Sequence, residues 1–130
     1  MINIVIIAHS EIAHSFAYCV EHILNKRIDN LHIVAVKKAE DTDDVLARAR
    51  ELLDKTEDNQ GILILSDLFG ATPYNIAQRL VVPGKIELIS GLNLPMLIRA
   101  ISYAKSDLAT VIAKALEGGT AGIVHFDDDE

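Results

Sequence analysis

Ile2-Asn3-Ile4-Val5-Ile6-Ile7-Ala8, followed at once by His9-Ser10, opens the chain with a short, nearly continuous apolar run that stops at a polar pair. A run of this length, rich in β-branched residues, reads as a strand buried on both faces. Four further runs have the same character: Leu31 to Val36, Gly61 to Ser66, Lys85 to Ser90 and Ala121 to Phe126. Amphipathic stretches lie between them, and strands taking turns with helices predict a parallel-type sheet covered on both faces. The expected fold is a single α/β domain over residues 1–126, doubly wound around a mostly parallel five-stranded sheet, with a short acidic tail at 127–130.

The helical segments carry their own punctuation. The first is expected from Glu11 to Leu24, capped by Ser10, with Ile12, Phe16, Val20, Ile23 and Leu24 as its apolar face. The second follows the acidic stretch Glu40-Asp41-Thr42-Asp43-Asp44, whose carboxylates suit a helix N-terminus, and turns Val45, Leu46, Ala49, Leu52 and Leu53 inward. Thr72 caps a third helix opened by Pro73, Pro95 opens a fourth, and the fifth runs from a Ser106 cap to Gly118-Gly119.

Composition narrows the function classes. The chain has 130 residues, half of them apolar and 24% charged, so a packed core is easily furnished. A net charge of -7 opposes binding to the phosphate backbone of nucleic acids. The N-terminal apolar run is too short to span a bilayer and lacks a basic leader, so a cytoplasmic protein that meets membranes only indirectly is expected. Cys19, the one cysteine, falls on the helical face beside Phe16 and Val20 and is read as core packing. The other histidines, His14, His22, His32 and His125, form no zinc-ligand spacing, and no phosphate-binding glycine loop is present. Neither a metal nor another cofactor is expected.

In open α/β sheets chemistry gathers at the carboxyl ends of the strands. Three loops are selected by that rule: Ala8-His9-Ser10, the block from Ser66 to Pro73, and Gly91-Leu92-Asn93-Leu94-Pro95. His9 and Asp67 then fall at one edge, where a carboxylate holding one ring nitrogen leaves the other free for nucleophilic attack. Helix-start amides near Ser10, Gly70 and Ala71, with the Thr72 hydroxyl, suit phosphate oxygens, and Phe69 and Asn93 line the loops. On the residues alone three readings stand: a phosphoryl carrier, a regulatory module using the same modification, or a domain that merely hydrogen-bonds a small anion.

The blocks Ile4-Val5-Ile6-Ile7-Ala8-His9-Ser10, Ser66-Asp67-Leu68-Phe69-Gly70-Ala71-Thr72-Pro73-Tyr74-Asn75 and Gly91-Leu92-Asn93-Leu94-Pro95-Met96-Leu97 resemble the IIA component of the mannose/fructose/sorbose class of the bacterial phosphoenolpyruvate-dependent sugar phosphotransferase system. The resemblance implies that His9 accepts a phosphoryl group from the histidine phosphocarrier protein and passes it to a IIB domain or subunit. It implies that Asp67 supports the histidine and that Thr72 lies near the phosphoryl group. It also implies a homodimer in which the strand from Ala121 to Phe126 is exchanged. Ser10 and Ala71 stand where glycine is common in the family, and Ala71 is expected to resist a positive backbone angle. The chain is expected to carry no fused IIB domain after residue 126, which leaves a separate acceptor protein or none at all.

Overall fold

The computed structural model describes residues 1–56 and 60–128, so Asp129 and Glu130 of the expected acidic tail lie outside the described residues. Its elements run β1 (Asn3–His9), α1 (Ser10–Leu24), β2 (Leu31–Val36), α2 (Thr42–Lys55), β3 (Ile62–Ser66), α3 (Thr72–Gln78), β4 (Ile86–Ser90), α4 (Leu94–Ser102) and α5 (Leu108–Ala121). The strands form one sheet in the order β2-β1-β3-β4, and every neighbouring pair is parallel.

Side chains alternate across a strand, and β1 uses both directions for apolar residues. Ile4, Ile6 and Ala8 pack with α1, α4 and α5, whereas Val5 and Ile7 pack with α2 and α3. The central strands therefore read as unbroken hydrophobic runs. From β1 the chain first adds a strand on one side, β2, and later on the other, β3. The winding reverses between β1 and β3, and a crevice opens beyond the carboxyl ends of those two strands. His9 ends β1, and Asp67 directly follows β3.

Several expected boundaries are corrected. The sheet has four strands among the described residues, because α5 continues to Ala121 and 122–126 pairs with no strand among those residues. Gly118 and Gly119 do not end α5. Both are buried against α4, and a Cβ on Gly118 would meet the Arg99 side chain and approach the Pro95 carbonyl oxygen to 3.0 Å. These glycines permit helix-helix contact instead of a stop.

Two caps shift by one residue, to a side-chain oxygen at α5 and to a residue with no side-chain cap at α3. Asp107, not Ser106, accepts the Thr110 amide at the start of α5, and Ala71, not Thr72, occupies the cap position of α3. α1 begins at Ser10, with His9 in its cap position. On α1, Ala13 and Val20 are buried while Ile12 and Ile23 are exposed, and Cys19 is only half-buried. α2 keeps its expected face, and Asp41 caps it by accepting the amides of Asp43 and Asp44.

Candidate functional site

The sharp turn from β1 into α1 sets the position of His9. Its backbone is extended (φ -58, ψ 145), and its side chain makes no capping bond to α1, so the imidazole is available for other contacts. Asp67 reaches it from the end of β3. The carboxylate Oδ2 lies 2.7 Å from His9 Nδ1 and also accepts the His9 backbone N–H at 3.2 Å. Asp67 is 10% exposed and His9 53% exposed. The pair thus has a buried anchor and an accessible ring. With Nδ1–H donating to the carboxylate, the lone pair of the neutral ring resides on Nε2.

A cavity of about 790 Å³ opens beside this pair. Its walls are His9, Ser10, Glu11 and Ile12 from the start of α1, Val36 to Glu40 and Thr42 from the exit of β2, and Asp67, Thr72 and Pro73 from the β3–α3 connection. The first-turn amides of α1 have no partner within the helix and carry the positive end of its dipole. Anionic oxygens suit such an end.

The family model described as the PTS system fructose IIA component, EIIA-man, matches residues 3–116. The chain belongs to this family. Among relatives, it is 29% identical over 125 residues to the PTS system mannose-specific EIIAB component of Escherichia coli strain K12, covering 94% of this chain and 38% of that protein. The chain thus spans less than half the length of that relative. It is 28% identical over 105 residues to the sorbose-specific EIIA component of Lacticaseibacillus casei, covering 80% of this chain and 75% of the relative. A crystal structure of the phosphotransferase system component EIIA from Streptococcus agalactiae superposes with a TM-score of 0.83 at 28% identity, covering 97% of this chain and 98% of that one.

Within this EIIA-man domain the residues singled out from sequence separate into two groups. His9, Ser10, Asp67 and Thr72 share the cavity wall. Gly70, Ala71, Phe69 and Asn93 do not line it. Gly70 takes the positive angle in the loop (φ 82), whereas Ala71 has φ -77, so alanine causes no strain there. The Ala71 amide donates to the Leu68 carbonyl at 3.2 Å, and the Asn75 side chain donates to the Gly70 carbonyl at 3.2 Å. Phe69 is exposed and leans on Tyr74, with ring centroids 4.8 Å apart. Asn93 has extended backbone. Its Oδ1 accepts the Met96 amide at 2.9 Å and its Nδ2 donates to the Gly119 carbonyl at 3.1 Å, which ties α4 to α5.

Lys37, Lys38 and Glu40 were missed by the sequence reading, although they follow the carboxyl end of β2 and the strand-end rule applies to that loop as well. Adjacent lysines there, in an acidic chain, were the available signal. Among the described residues no group of three His, Cys, Asp or Glu side chains could hold a metal ion, and no helix is long and apolar enough to cross a membrane.

Proposed function

We propose that this EIIA-man domain is a phosphohistidine carrier, taking a phosphoryl group on Nε2 of His9 from the histidine phosphocarrier protein and yielding it to a IIB partner in the cytoplasm. The observation that carries the reading is the 2.7 Å contact of Asp67 Oδ2 with His9 Nδ1, which leaves Nε2 as the nucleophile on an exposed ring. Membership of the EIIA-man family supports it.

The transfer balances without a further reactant. The donor's phosphorylated imidazole, protonated on its other nitrogen, loses the phosphoryl group and keeps the electron pair of the broken N–P bond, becoming a neutral ring. Nε2 of His9 supplies the pair for the new N–P bond, and its ring becomes an imidazolium whose Nδ1–H stays on Asp67. The carboxylate stabilises that cation and orients the ring without reacting. First-turn amides of α1 and the Thr72 hydroxyl serve the phosphoryl oxygens, since phosphoryl transfer depends mainly on positioning and charge stabilisation.

The test is incubation with phosphoenolpyruvate, enzyme I and the histidine phosphocarrier protein, followed by mass spectrometry under alkaline conditions that preserve phosphohistidine. One phosphoryl mass gain on the peptide bearing His9, absent in His9→Ala and lost on adding a mannose-class IIB domain, is the expected result. No gain at His9 overturns the reading.

We also propose a homodimer in which the segment 122–126 of one copy covers the other. Ile123, Val124 and Phe126 are 78%, 73% and 80% exposed, a concentration of apolar surface that water disfavours, and among the described residues the outer edge of β4 meets no strand, only an isolated antiparallel bridge from Val82 to Ile86. Removing residues 123–130 is expected to convert a dimer to a monomer in light scattering. An unchanged mass would refute the exchange.

A further inference from the structure

The cavity beside His9 has a cationic side. Val36, the last residue of β2, stands in parallel register with His9, so the chain leaving β2 runs beside the start of α1. Lys37 and Lys38 are the first two residues of that exit, and both line the cavity that His9 and Asp67 line. In a chain of net charge -7, these two cations bring positive charge to a cavity wall that also carries the carboxylates of Glu11, Glu40 and Asp67. Neither ammonium group makes a hydrogen bond or an ion pair within 4.0 Å among the described residues. The acids that face the same space are mostly engaged, Asp67 with His9 and Glu40 with Arg48 and, at longer range, with the charge of Lys37, while Glu11 has no ion pair among the described residues.

The loop that presents the lysines is braced. Glu40 accepts the Lys37 backbone N–H at 3.0 Å and the Arg48 guanidinium at 2.6 Å, and Arg48 also donates to the Ala35 carbonyl at 2.7 Å. The Glu40 amide returns to the Lys37 carbonyl at 3.2 Å. Between them Ala39 holds φ 64, a left-handed angle that a side chain disfavours and that persists only where surrounding bonds fix it. The Arg48 hydrogen bond holds the Glu40 carboxyl below its usual range, which keeps the brace ionised. An exposed turn fixed this firmly, with two cations at its start, is suited to meet a ligand.

The ligand is set by what the rest of the cavity lacks. A phosphoryl group on Nε2 brings about two negative charges next to the Asp67 carboxylate. The ring cation answers Asp67, and the α1 amides carry only partial charge. We propose that Lys37 and Lys38 form a cationic lip that binds the oxygens of the phosphoryl group as it arrives on and leaves His9. This inference rests on His9 being the phosphoryl acceptor. The lysines form and break no covalent bond; they lower the barrier by neutralising charge on the oxygens while the N–P bonds exchange.

The experiment compares wild type, K37Q/K38Q and K37R/K38R, each checked for native circular dichroism, with two donors. One is the phosphorylated histidine phosphocarrier protein, and the other is phosphoramidate, a small donor with no protein surface that releases ammonia on transfer. The lip predicts that K37Q/K38Q labels His9 about tenfold or more slowly with both donors, with the maximal rate reduced more than the half-saturating donor concentration is raised. K37R/K38R retains most of the rate. In ³¹P spectra, the second ionisation of the phosphoryl group on His9 moves to higher pH in K37Q/K38Q, because removing cations disfavours the dianion. Equal rates with phosphoramidate overturn the lip, and a loss confined to half-saturation by the carrier protein assigns the lysines to docking instead. Wild type that takes no label at His9 from either donor overturns the underlying carrier reading, a result distinct from both.

Discussion

A single oxygen of Asp67, Oδ2, accepts from both the ring Nδ1 and the backbone N–H of His9, at 2.7 and 3.2 Å. The carboxylate therefore ties the end of β3 to the exact residue where β1 becomes α1, and it sets both the ring's tautomer and the direction of its free nitrogen. Asp67→Asn retains an oxygen able to accept from the ring but loses the charge that stabilises an imidazolium. Transfer to His9 is expected to slow by about 10²-fold or more while the fold is kept. Quench-flow labelling at the wild-type rate would refute the orienting and stabilising role.

Asn93 holds α4 to α5 rather than lining the cavity. Asn93→Ala removes both the cap on the Met96 amide and the bond to the Gly119 carbonyl. The expected cost is about 1–2 kcal/mol, read as a lower urea midpoint. Labelling of His9 in the folded variant should match wild type.

Gly118→Ala tests the contact of α5 with α4. Alanine favours a helix over glycine by roughly 1 kcal/mol, so an isolated helix would gain. Here the added methyl meets the Arg99 side chain and the Pro95 carbonyl oxygen, and a backbone oxygen cannot swing aside. Overpacking of this kind costs about 1–3 kcal/mol, and the expected outcome is a lower thermal midpoint. A higher midpoint would show that the two helices separate easily.

His32 on β2 donates its Nε2–H to Asn3 Oδ1 at 3.0 Å, and burial lowers its pKa from the ordinary 6.5. The unfolded chain therefore takes up this proton at a higher pH than the folded one does. Its contribution to stability is present above pH 6.5 and is lost as pH falls through the folded-state value. Between about pH 8 and about pH 5, His32→Gln should lose less stability than wild type in urea titrations. Parallel losses would assign the acid sensitivity to other groups.

Much of the architecture could be read from local pattern. Ile2 to Ala8 is apolar on both faces, and only a central strand between two helical layers accommodates that. The same alternation placed β2, β3 and β4 and the inward face of α2. It failed at α5, where Gly118-Gly119 resembled a helix stop, because a glycine needed for close helix packing and a glycine that ends a helix look alike in one dimension. It failed again at the caps of α3 and α5, where neighbouring residues compete for one position and the backbone path decides.

By itself the sequence determined the α/β class, the strand-end position of His9 and Asp67, and the family blocks around them, because these depend on periodicity and on residue order. Tertiary structure alone decided that Oδ2 meets Nδ1, that Thr72 shares a cavity with His9 while Asn93 does not, and that Lys37 and Lys38 line that same cavity. Those facts depend on the strand order β2-β1-β3-β4, which sets loops distant in sequence side by side, and no local pattern encodes that order.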